Sequence, residues 1–171
     1  MYDERFLVTK LSRPTFVPIA AIRHPCNIAK MTANKHTIVY AEDDFDDLFL
    51  VKQAFEKHSH IEVAHATDGR KALQMLEEML RQKSLPCLVI LDVNMPVMNG
   101  RETLQAIRNH PQLQKLTVVL FTTSNNPTDV TFAKSHNATY VTKPIDFGEL
   151  EKIALRFVDQ CDYKINDLSL H

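Results

Sequence analysis

From residue 37 onward, short apolar runs rich in β-branched residues alternate with longer segments whose apolar positions recur every three to four residues. The runs at 37–41, 61–65, 87–91, 117–121 and 139–141 read as strands, and the segments at 46–58, 69–83, 100–109, 127–136 and 146–160 as helices. Five strand–helix alternations predict an α/β fold with a parallel sheet and crossover helices. The third and fourth runs are apolar nearly throughout, as strands covered on both faces must be. Four helix starts carry capping chemistry: Asp68 before Gly69, Asn99 with Glu102, Asn126 before Pro127, and Asp146 with Glu149.

Residues 1–36 hold three prolines and no sustained period, which predicts a weakly ordered extension, with a folded domain at 37–160 and a short tail at 161–171. Met31 lies six residues before the first strand, where an ordinary N-terminus would begin, so translation from Met31 is an expectation. No apolar run approaches the roughly 20 residues of a bilayer-spanning helix, and Pro14 and Pro18 interrupt any signal-peptide core. The chain is expected to be soluble.

Composition changes this picture at two points. Residues 1–36 carry six Lys/Arg against two Asp/Glu, whereas the remainder carries fourteen against nineteen, so the folded part is acidic. Phosphate-backbone binding draws its affinity from basic residues, so nucleic acid is not expected as a partner. The three cysteines, Cys26, Cys87 and Cys161, are odd in number, widely spaced and outside any C-x-x-C motif. That pattern predicts neither a disulfide framework nor a zinc site, with Cys87 a buried small hydrophobe and the protein in a reducing cytoplasm. The eight histidines are mostly scattered singly and read as structural or solvent-facing.

Candidate chemistry sits at the strand ends, because ligands of an open α/β sheet bind beyond the carboxyl ends of the strands where the strand order reverses. The first strand ends in Glu42-Asp43-Asp44 and the third in Asp92. These carboxylates, converging from distant parts of the chain, would repel one another without a cation, and a few oxygen ligands with open water positions suit Mg²⁺ better than Ca²⁺. The fourth strand runs out at Thr122 and Thr123, and the fifth at Lys143-Pro144. A divalent cation, a hydroxyl and an ammonium match the oxygens of a transferring phosphoryl group, with a carboxylate as nucleophile. Asp44, Asp46 and Asp47 read more simply as a solvated acidic helix start.

Across 37–160 the chain resembles the receiver domain of two-component response regulators, the CheY-like family. The resemblance rests on Glu42 and Asp43 after the first strand, Asp92 after the third, Thr122 after the fourth and Lys143-Pro144 after the fifth. The stretch 42–47 and the Thr122-Thr123-Ser124 triplet look most like the small stand-alone regulators that partner phytochrome-type kinases, although Phe45 stands where that group commonly has proline.

The resemblance implies a doubly wound (βα)5 flavodoxin-like sandwich with sheet order 2-1-3-4-5. It implies that Asp92 accepts a phosphoryl group from a sensor histidine kinase or phosphotransfer protein and later loses it to water, with no other enzymatic activity. It further implies Mg²⁺ bound by Asp43, Asp92 and the backbone carbonyl of Asn94, with Glu42 acting through water. Lys143 would pair with a phosphoryl oxygen, Thr122 would turn toward it, and Tyr140 would be the switch aromatic that moves inward.

Only 161–171 follow the last predicted helix, so output is expected through contacts with a downstream protein, by a monomer or weak homodimer, near Tyr140 and Phe147. Three other readings are weaker. A metal-dependent phosphatase with a strand-end aspartate would need a second acid where Asn94 stands. A nucleotide or flavin-phosphate binder would not place acids at 42–47. A phosphorylation-independent docking module would not need the full set Asp43, Asp92, Thr122 and Lys143.

Overall fold

In the computed structural model, residues 35–168 are described. The expected extension, apart from Lys35 and His36, and the expectation on Met31 lie outside the described residues. Five strands, β1 (His36–Ala41), β2 (Ile61–Ala66), β3 (Leu88–Leu91), β4 (Val118–Thr122) and β5 (Thr139–Thr142), alternate with five helices. The helices are α1 (Phe45–Phe55), α2 (Gly69–Arg81), α3 (Gly100–Asn109), α4 (Pro127–Ser135) and α5 (Phe147–Leu168). All pairings are parallel, in the order β2-β1-β3-β4-β5, so the strand order reverses between β1 and β3, as expected.

Successive strand side chains point to opposite faces, and the two cores follow that alternation. Ile38, Tyr40, Leu88, Ile90, Val119 and Phe121 face one way, against Leu48 and Val51 of α1 and Ala154, Phe157 and Val158 of α5. Val39, Ala41, Val89, Leu91, Val118 and Leu120 face the other, against Leu76 of α2, Leu104 and Ile107 of α3 and Ala133 of α4. Burying each large aliphatic side chain contributes about 1.5–3 kcal/mol. β5 is the least covered strand, with none of its four residues fully buried. Among the described residues, no helix is long and apolar enough to cross a membrane.

Each expected cap is present. Asp68 accepts from Lys71 N–H, Asn99 and Glu102 form a reciprocal capping box, Asn126 accepts from Thr128 N–H, and Asp146 accepts from Glu149 N–H. The structure adds a fifth: Asp44 caps α1 by accepting from the N–H groups of Asp46 and Asp47.

Two expectations are corrected. The last helix does not end near 160 but runs to Leu168, so 161–168 are helical instead of tail. No glycine or proline follows 160 to stop it, and Cys161 continues its buried stripe. The second correction concerns the cysteines: Cys87 and Cys161 form a disulfide, with their Cα atoms 5.1 Å apart across 74 residues of sequence. Spacing along the chain is no guide to this pairing, because the residue before β3 and the late turns of α5 meet only when α5 packs back on the sheet.

Candidate functional site at the carboxyl edge of the sheet

The ladder hydrogen bonds continue past the ends of the strands and bring the site together. Glu42 N–H donates to Ala66 O (2.9 Å), Asp92 N–H to Ala41 O (3.0 Å) and Lys143 N–H to Thr122 O (2.8 Å). Glu42, Asp92, Thr122 and Lys143 therefore occupy the same edge, although they are separated by up to 101 residues of sequence.

Lys143 is the centre of this arrangement. Its Nζ lies 2.6 Å from Glu42 Oε2, 2.7 Å from Asp47 Oδ2 and 3.0 Å from Asp92 Oδ1. Burial opposes its charge, but the hydrogen bonds to Asp47 and Glu42 and the field of Asp92 outweigh that, so its pKa is raised above the usual lysine value. The ammonium stays charged at any physiological pH. Asp47 is the correction here: read from the sequence as a solvated helix-start acid, it is a direct partner of this lysine.

The Glu42 side chain is buried, paired with Lys143, and accepts a hydrogen bond from the Tyr40 hydroxyl. Residues i and i+2 of a strand share a face, which is why Tyr40 and Glu42 meet. Burial pushes the Glu42 carboxyl upward, against the opposing pull of Lys143 and Tyr40. The Tyr40 hydroxyl is held far above its ordinary value by burial, then by the adjacent Glu42 charge. Tyr40 was legible in principle, from the period-2 rule applied to β1.

Asp92 is buried and accepts from Asn94 N–H at 2.6 Å through Oδ2. Gly100, at the start of α3, is needed for close approach: a Cβ there would lie 2.1 Å from Asp92 O. Asp43 is exposed, and Glu42, Asp43 and Asp92 each offer a carboxylate oxygen, all within 4.8 Å of one another. One ammonium, Lys143, faces three carboxylates, Glu42, Asp47 and Asp92, and Asp43 adds a fourth beside Glu42 and Asp92. That excess of hard oxygen donors fits a divalent cation.

Thr122 is buried, and its Oγ1 accepts from Ser124 N–H at 3.2 Å. Tyr140 is not among the carboxylates: its half-buried ring packs against the α2/α3/α4 side of the core, and its hydroxyl donates to Ser124 O. Between the β3–α3 and β4–α4 loops lies a polar cleft of about 570 Å³, lined by Asn94, Met95, Arg101, Ser124, Asn126 and Asp129 among others. Asp129, seen in the sequence only as a first-turn acid of α4, is buried there, 3.2 Å from Arg101 and 3.4 Å from Ser124 Oγ.

Known proteins show the same arrangement of strands and helices. The chain is 34% identical over 121 residues to the response regulator Rcp1 of Synechocystis, covering 68% of this chain and 82% of Rcp1. It is 32% identical over 120 residues to a probable methanogenesis regulatory protein, FilR2, of Methanothrix harundinacea, covering 67% and 76%. Among solved structures, the phosphorylated cyanobacterial phytochrome response regulator RcpA superposes with a TM-score of 0.64 at 30% identity, covering 70% of this chain and 89% of RcpA. The Mn²⁺-bound form of Rcp1 superposes at 0.61, also at 30% identity, covering 70% and 88%. Residues 38–155 match the profile of the response regulator receiver domain. With Glu42, Asp92, Thr122 and Lys143 gathered at the edge where the strand order reverses, the chain belongs to the response regulator receiver domain family.

Proposed function

We propose that residues 37–160 form a receiver domain that accepts a phosphoryl group on Asp92, and that the Lys143–Asp92 contact of 3.0 Å carries this reading. Receiver domains are two-component phosphoacceptors that bind a divalent metal and interact with histidine kinases or phosphotransfer proteins. For this chain the metal would be Mg²⁺, which Asp43, Asp92 and the Asn94 carbonyl would hold, with Glu42 acting through water; when bound, it would neutralise charge on the phosphoryl oxygens.

Asp92 supplies the attacking oxygen, and the bond from phosphorus to the donor's imidazole nitrogen breaks as the new P–O bond forms. Asn94 N–H, on Asp92 Oδ2, leaves Oδ1 as the oxygen facing Lys143. Lys143 then exchanges carboxylate partners for a phosphoryl oxygen, and Thr122 donates its hydroxyl to another. Water later removes the phosphoryl group. Exposed apolar side chains stand in the segments that bear the site: Phe45 and Phe49 on α1, Val97 before α3, and Ile145 after Pro144. They suit a docking kinase or phosphotransfer partner, with the protein located in the cytoplasm. The thinly covered β5, with Tyr140 and Phe147 of α5, suits a downstream protein target.

Incubation with acetyl phosphate and Mg²⁺, followed by intact mass, tests the reading. One added phosphoryl group that depends on the metal is expected, and its absence from Asp92→Asn. Equal labelling of Asp92→Asn would remove Asp92 from the role.

A further inference from the structure

The Cys87–Cys161 bond lies away from the carboxylates, because Cys87 precedes β3 while Asp92 follows it. We propose that these two cysteines are a reversible thiol–disulfide site, reduced by exchange with a dithiol, and that the bond tethers the last turns of α5 to the sheet.

Three observations carry this. The two residues differ in access: Cys161 is fully buried, whereas Cys87 is only partly buried at the edge of the same core. An incoming thiolate thus has one sulfur to attack. The reduced pair also has a place in the fold. Cys87 Sγ lies 3.4 Å from Thr37 O, an acceptor for its S–H, and Cys161 sits among Ala154, Phe157 and Val158 as a small hydrophobe would. The Cys87 thiol thus keeps an acceptor, and the Cys161 thiol, only a weak donor, is tolerated in apolar surroundings. Finally, α5 runs on to Leu168 beyond Val158 and Cys161, so the bond lies at the start of its last turns.

In the exchange, the dithiol's thiolate attacks Cys87 Sγ, the Cys87–Cys161 bond breaks, and the Cys161 sulfur takes up a proton. The second thiol of the reductant attacks the mixed disulfide and releases Cys87, which is protonated in turn. The protein disulfide gains two electrons as two thiols, and the dithiol becomes a disulfide. The core contacts of α5 up to Val158 are untouched, so reduction loosens 159–168 and leaves the sheet intact.

The test uses the full chain carrying Cys26→Ser, which removes the third thiol. The native protein is equilibrated in glutathione buffers from oxidising to reducing, quenched with a maleimide and weighed intact. Two alkylations should appear together at Cys87 and Cys161 without denaturant, with a fall in Tm of roughly 5–15 °C and faster amide hydrogen exchange confined to 159–168. Two free thiols in every buffer, or a bond reduced only after denaturation, would overturn the proposal. Cys161→Ala should reproduce the Tm and exchange of the reduced form, and Cys87→Ser serves if that variant does not fold. A folded variant indistinguishable from the oxidised protein would show that the bond does not tether α5.

Discussion

Thr122 and Tyr140 are joined through one residue. Ser124 N–H donates to Thr122 Oγ1 at 3.2 Å, and the Tyr140 hydroxyl donates to Ser124 O. A rotation of the Thr122 hydroxyl away from Ser124 therefore removes one anchor of the β4–α4 loop while the other end of that residue still holds Tyr140.

This connection makes the relay testable. With beryllofluoride as phosphoryl mimic, the Tyr140 ring resonances should shift in the wild type and not in Thr122→Ala, although both bind the mimic, because the metal and nucleophile groups are unchanged. Equal shifts in the two proteins would eliminate Thr122 as the link.

Lys143→Gln should lower metal-free stability by about 3–5 kcal/mol at neutral pH, since it leaves the buried Glu42 and Asp92 carboxylates without their cation. The deficit should shrink in acid. With its pKa already raised by burial, Glu42 without Lys143 rises further above its unfolded value, so the native state binds protons more readily and stability falls as pH rises through that window. Urea denaturation from pH 4 to 8 measures this; a deficit independent of pH would assign the loss to packing of the lysine stem.

Asp43 is exposed, unlike Glu42 and Asp92, so Asp43→Asn should leave the metal-free Tm unchanged or slightly raised by relieving repulsion. Mg²⁺ or Mn²⁺ affinity, followed calorimetrically, should fall on the order of tenfold or more. A clear drop in metal-free Tm would make Asp43 a structural residue instead.

Asp68 caps α2, and Asp68→Ala should cost about 1 kcal/mol, whereas Asp68→Asn keeps the cap and costs less. The Lys71 N–H holds the Asp68 carboxyl below its ordinary value of 3.8. Its charged-form contribution is therefore complete above that value and is lost as pH falls through the lowered one. The gap between wild type and Asp68→Ala should be constant at neutral pH and narrow in strong acid, as thermal melts across pH would record.

Much of this protein was decided locally. The five strands and five helices follow from apolar period, and the starts of α2 to α5 from Asp68, Asn99, Asn126 and Asp146, because capping and periodicity act within a few residues. The positions of Glu42, Asp43, Asp92, Thr122 and Lys143 at strand ends were legible for the same reason: in a parallel sheet, where a strand stops sets which edge its next residue joins.

What tertiary structure alone decided is how those residues share charge. Whether Asp47 faces solvent or Lys143 depends on how α1 is set against the β5–α5 loop, 96 residues away. Glu42 is buried beside Tyr40 and Lys143 because α1 and α5 close over that face of the sheet, and burial, not sequence context, sets its proton affinity. Cys87 and Cys161 meet for the same reason, across 74 residues that carry no trace of the pairing. Short-range chemistry is written in neighbours along the chain, whereas ion pairing, desolvation and disulfide geometry depend on distances that exist only once the helices have packed.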